Sequence, residues 1–153
     1  MRQILRTLAV AAAIGAGLMF AAFGHAADGK THRIAFQIDE GDPKVMNMVL
    51  NNVSNVLEYY HGKGEQAEIE IVAYGPGLNM LREDKSPVKD RLKRIKDGSF
   101  PSKVTYSACG NTMMNMEKAE GHPIPIIAEA GVVTAGVVRL AELQEQGWAY
   151  IRP

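Results

Sequence analysis

A chain of 153 residues has room for one domain, and its 46% hydrophobic content is enough to build a core. Its 17 basic and 17 acidic side chains cancel, which leaves no positive field to attract a nucleic acid. A single cysteine excludes an internal disulfide.

The first six residues carry Arg2 and Arg6, residues 7–23 are apolar and rich in alanine, and Gly24-His25-Ala26 offers small residues at the −3 and −1 positions of a cleavage site. This pattern predicts a secretory signal peptide over residues 1–26, removed after Ala26, and one domain over residues 27–153. An uncleaved anchor is the competing reading, but the apolar run is marginal for spanning a bilayer. Cleavage removes two arginines and no acid, leaving 15 basic and 17 acidic groups and a net charge of −2. The expected destination is the bacterial periplasm.

Residues 32–38 alternate apolar with small or polar side chains and predict the first strand. Asp39-Glu40-Gly41-Asp42 ends it. Asp42 then fits an N-cap and Pro43 the first position of a helix. That helix places Val45, Val49, Val53, Val56 or Leu57, and Tyr60 on one face, and Gly62 or Gly64 stops it. Residues 67–74 predict the second strand, broken by Gly75-Pro76-Gly77. Ser86-Pro87 opens a second helix with Val88, Leu92 and Ile95 inward. Its basic run of Lys89, Arg91, Lys93, Arg94 and Lys96 reads as a solvated face.

Residues 103–107 predict the third strand. Cys109 follows it, and Gly110-Asn111-Thr112 reads as a turn and N-cap before a third helix from about Thr112 to Glu120. Residues 126–129 are assigned to a fourth strand and residues 131–134 to a turn. A fourth helix carries Val137, Val138, Leu140, Ala141 and Leu143, and residues 148–151 give a last strand. Alternating strands and helices predict an α/β fold, three-layer α/β/α, with a five-stranded, mainly parallel sheet. Ligand sites in such sheets lie beyond the carboxyl ends of the strands. The segments expected to meet there are residues 39–42, 74–80, 107–112 and 129–134.

Cys109 is the centre of the functional reading. Between a strand and a helix start, a thiol meets unpaired backbone N–H groups that favour its anion. Gly110 allows those groups close approach, whereas Asp39, Glu40, Asp42 or Glu129 pointing at the sulfur would oppose ionisation. Facing the cleft, Cys109 is expected to be partly accessible. The three acids at 39–42 otherwise read as turn residues. The histidines His32, His61 and His122 show no zinc-ligand spacing, and no metal ligand or cofactor is assigned.

Three stretches carry a resemblance to a known family: residues 71–78 with the Gly75-Pro76-Gly77 loop, the cysteine turn at residues 107–112, and residues 136–151. In these, and in the order of its elements, the chain resembles the DsrE/DsrF-like family, which includes the TusD-type sulfur relay subunits. The resemblance implies a compact α/β domain, a homo-oligomer such as a trimer or hexamer, and a cysteine that carries sulfane sulfur as a persulfide. Cys109 alone can be carried over as that residue. Gly75, Gly77, Gly110, Asn111 and Thr112 are the ligand-binding candidates around it. The partners would be a sulfur donor or an acceptor thiol protein. The chain departs from the relay members in its export signal, since the best-known of them work in the cytoplasm.

Two other classes of function stand beside this one. A non-catalytic oligomeric module could hold a small ligand or a partner's tail, and would suit a buried, inert Cys109. A soft-metal protein could use Met80, Met113, Met114, Met116, Cys109 and His122 for Cu(I). Those three helical methionines span too much of the circumference to face one ion, and methionine more often fills a core.

Overall fold

The computed structural model describes residues 29–153. The leader expected over residues 1–26 lies outside the described residues. No helix among the described residues is long and apolar enough to cross a membrane.

Five strands and four helices alternate: β1 (Thr31–Ile38), α1 (Pro43–His61), β2 (Gln66–Ala73), α2 (Lys89–Gly98), β3 (Lys103–Cys109), α3 (Gly110–Glu120), β4 (Ala130–Val133), α4 (Gly136–Glu145) and β5 (Ala149–Ile151). A 3-10 segment over Gly75–Leu81 sits between β2 and α2. The sheet order is β4-β3-β2-β1-β5, and every pairing is parallel.

The helices divide unequally between the faces. Met46, Val49, Leu50 and Val53 of α1, Leu92 of α2, and Met113 and Met116 of α3 join Phe36, Ile71 and Tyr106 on one face. On the other, Leu140 and Leu143 of α4 pack on Ala35 and Val72, with Tyr74 and Trp148 beside them. Parallel strands need their faces covered, and α4 is the one helix on the second face among the described residues.

Local signals explain most boundaries. Asp42 caps α1, its Oδ1 accepting the Lys44 N–H at 2.8 Å, and Pro43 occupies the first turn. Gly121, at φ 77°, closes α3 in the left-handed conformation. Leu92 of α2 is buried and its basic side chains find local partners, Lys89 with Glu83 at 2.7 Å and Lys93 with Asp97 at 3.1 Å.

Four expectations need correction. The fourth strand is Ala130–Val133, not residues 126–129. Ile127 is buried and its N–H donates to the Leu81 carbonyl at 3.0 Å, while Ile126 bridges Arg82 antiparallel; this stretch clamps the 3-10 segment instead of joining the sheet. The third helix starts at Gly110, with Cys109 itself as the cap residue, so Gly110-Asn111-Thr112 is its first turn and not a loop. The second helix starts at Lys89, two residues beyond the Ser86-Pro87 signal. In α4, Val137 and Val138 face solvent, 65% and 52% exposed, and leave the core to Leu140 and Leu143.

Candidate functional site

β3 alternates cleanly: Val104, Tyr106 and Ala108 enter the larger core, so Thr105, Ser107 and Cys109 point to the α4 face. Beyond its end the chain turns into α3 on one face, whereas β4 continues into α4 on the other. The paired ends Cys109 and Val133 therefore flank the crevice where the connections diverge, the usual ligand position in an open parallel sheet.

Two helix starts converge on the thiol. Cys109 occupies the N-cap position of α3, so the N–H groups of that first turn are beside it. From α4, Gly136 approaches so closely that a Cβ there would lie 3.3 Å from the Cys109 Cβ and 3.1 Å from the Tyr74 Cβ. Only glycine brings its backbone N–H to the sulfur across that gap. Burial pushes the thiol pKa up. The Thr112 side chain and the backbone N–H groups of Gly136, Thr112 and Asn111 outweigh burial and hold it below its ordinary value.

The feared acids are otherwise occupied. Asp42 caps α1, Asp39 accepts from Arg152 at 2.9 Å, and Glu40 is exposed to solvent. Glu129 precedes β4, so it lies at the strand's amino end and not in the crevice; its carbonyl accepts from Lys96. All four expected segments do meet, the last through its carboxyl end at Thr134. Gly41 lies against Pro76, the Gly75 N–H donates to Thr112 Oγ1 at 3.0 Å, and the Asn111 N–H donates to the Thr134 carbonyl at 3.2 Å.

The candidate residues take different roles. Thr112 adjoins the thiol and links α3 to the loop after β2 through Gly75, whose φ is 51°. Gly77 is buried against the end of β1, where a Cβ would come within 2.9 Å of the Asp39 Cα; it is a packing residue. Gly110 and Asn111 open instead on a groove of about 370 Å³ along α3, with Met114, Glu117 and Val132. Cys109 itself is 5% exposed, less than the partial accessibility expected. Of the candidate methionines, Met80 is in the core, Met113 and Met116 pack against that core, and Met114 faces solvent.

Tyr74 lies in the expected segment 74–80, but sequence reasoning missed Gly136 as a neighbour of the thiol, because its approach depends on β4 lying beside β3. It also missed Glu70 and Arg139, which meet beneath α4. The available signal was an acid in the middle of a strand and a base among the apolar residues that open a helix.

The chain belongs to the DsrE/DsrF-like family, whose model matches residues 17–153, and its α/β domain has the sulfur-relay type fold that this family implies. No curated protein matches the chain. Among solved structures, that of MTH1491 from Methanobacterium thermoautotrophicum, a protein of unknown function, is similar, with a TM-score of 0.67 and 32% identity over 80% of this chain and 99% of that one.

Proposed function

We propose that this protein carries sulfane sulfur as a persulfide on Cys109 and passes it to another thiol. The observation that supports the reading is the thiol's position between the first turns of α3 and α4, which lowers its pKa. The Cys109 thiolate attacks the terminal sulfur of a donor persulfide or polysulfide. A new S–S bond forms at Cys109, the donor's S–S bond breaks, and the donor's remaining sulfur leaves as a thiolate. Attack by an acceptor thiolate on the outer sulfur reverses this arithmetic and returns Cys109. No external oxidant or reductant enters either step.

Incubation with inorganic polysulfide, followed by intact-mass spectrometry, tests the proposal. The wild type should gain one sulfur, and Cys109→Ser none. A wild type that stays unmodified, with a thiol that alkylates only after unfolding, overturns it. That outcome would favour the binding-module reading, which the low exposure of Cys109 supports.

We further propose export to the periplasm with cleavage after Ala26, on the strength of the basic start, apolar run and small-residue site. N-terminal sequencing of the protein from its native host should begin at Ala27, and an intact Met1 on soluble cytoplasmic protein would overturn it. The family resemblance supports a homo-oligomer, a trimer or a hexamer, with a donor or acceptor thiol protein as its partner.

A further inference from the structure

On the α4 face, Glu70 sits near the middle of β2 and is only 3% exposed. Both its carboxylate oxygens are held by the Arg139 guanidinium, through Nε at 2.8 Å and Nη2 at 2.7 Å. The Ser107 hydroxyl donates to the same carboxylate at 2.6 Å. Ser107 is two residues before Cys109 on the same face of β3, so the carboxylate is fixed to the strand that bears the thiol. Arg139 closes the first turn of α4, its N–H donating to the Ala135 carbonyl at 3.0 Å. Gly136 lies within that same turn.

Helix stability does not account for this pairing. A cation in the first turn of a helix opposes the macrodipole, and burying a carboxylate costs solvation that an ion pair often only offsets. The start of α4 has no side-chain cap of its own. Its apolar anchors, Leu140 and Leu143, lie further along the helix. The fork to Glu70 is therefore the polar contact that fixes the first turn over the end of β3. It is bidentate, which fixes direction as well as distance.

We propose that Glu70 and Arg139 are positioning residues for Cys109: their fork pins the first turn of α4 to the sheet and holds the Gly136 N–H against the thiol. The proposal rests on the reading of Cys109 as the working thiol, but its test does not use sulfur transfer. The charged and titratable groups facing this region are Glu70 from β2, Lys103 from β3, Arg139 and Glu142 from α4, Tyr74 just after β2, and the groups around Tyr74: Asp39 just after β1, Tyr150 of β5 and Arg152 beyond it. β4, the first turn of α3 and the 3-10 segment contribute none. Tyr74 is pushed above its ordinary pKa, by burial first and by Asp39 second, and so stays neutral while the thiol titrates.

Two mechanisms could couple this pair to the thiol, and they differ in sign. Acting through space, loss of the Arg139 charge would raise the thiol pKa and loss of the Glu70 charge would lower it. Acting through the position of α4, either loss raises it. The experiment is a titration of full-length folded protein by the ¹³Cβ chemical shift of its sole cysteine, which reads ionisation whether or not the thiol reacts. Wild type, Glu70→Gln, Arg139→Met and Arg139→Lys are compared, with Leu92→Ala on α2 as a control that loses core packing on the opposite face. Glu70→Gln and Arg139→Met should both move the titration upward by about half to one pH unit, the size of one helix terminus acting at a partly buried site. Arg139→Lys keeps the charge and loses the fork, and should move in the same direction. Leu92→Ala should not move it. Opposite shifts for Glu70→Gln and Arg139→Met, or no shift in either, overturn the proposal. If the titrations behave as expected while wild-type protein takes up no sulfur, the positioning stands and the relay reading falls.

Discussion

Thr112 divides its hydroxyl between two duties. Its oxygen accepts the Gly75 N–H, and its side chain favours the Cys109 thiolate. Thr112→Val keeps the shape and removes both. An unpaired Gly75 N–H should cost about 1–2 kcal/mol, and the thiol should titrate at higher pH. The sign of the linkage follows from the lowered thiol pKa. A depressed acid stabilises the fold above its unfolded value and loses that contribution as pH falls through its folded one. The stability gap between wild type and Thr112→Val should therefore widen as pH rises from the folded thiol's titration toward the unfolded one's. Urea melts across that range measure it, and a gap that stays constant would show that the hydroxyl does not act on the sulfur.

Among the four described helices, α3 has the weakest apolar attachment: none of its residues is fully buried. Its far end is tied instead by Arg82, a wholly buried guanidinium bonded to Asp84 at 2.7 Å and to Glu120 at 2.6 Å. Hydrogen bonds from Arg82 first, and from Lys85 second, hold the Glu120 carboxyl down to about 2. This contribution is complete above the ordinary value of 4.5 and is lost as pH falls toward about 2. Glu120→Gln should accordingly be less stable than wild type at neutral pH, and the difference should disappear across that acid window in thermal melts. A deficit that persists at pH 2 would mean the amide perturbs packing and not the ion pair. The same elements show what a sequence reveals. Strands β1 and β2 are legible because alternation and glycine or proline breaks coincide. β4 is not, because Ile126 and Ile127 carry a stronger apolar signal than Ala130-Gly131-Val132-Val133, yet spend it on the 3-10 segment. An edge strand that is half exposed has little pattern to read. The thiol's place between strand and helix was legible from Val104 to Thr112, but its second helix start was not, since Gly136 reaches it only through the tertiary arrangement.

At the scale of the whole molecule, α4 carries the exposed apolar side chains Val137 and Val138, and the edge strand β4 carries Val132. Val132 and Val138 border one groove of about 360 Å³ whose floor includes Glu70 and Ser107. Together with the family resemblance, this supports the proposed homo-oligomer. Light scattering at micromolar concentration should give the mass of a trimer or hexamer, and a monomeric mass would count against it. The alternating α/β class and the parallel sheet were legible from the order of the elements. The unequal cover of the two faces was not, because it depends on which side each crossover takes.

β1 is flanked by β2 on one side and by β5 on the other, and its residues Ile34–Phe36 pair with Ala149–Ile151 at the far end of the sequence. During synthesis β2 can dock as soon as it emerges, whereas the other flank of β1 stays unpaired until residues 149–151 have been made. Such distant pairing is slow, and a bare strand edge invites the wrong partner in the meantime. Until residues 149–151 arrive the sheet is incomplete, so the order of strands places the closing of the β5 edge among the last steps of folding.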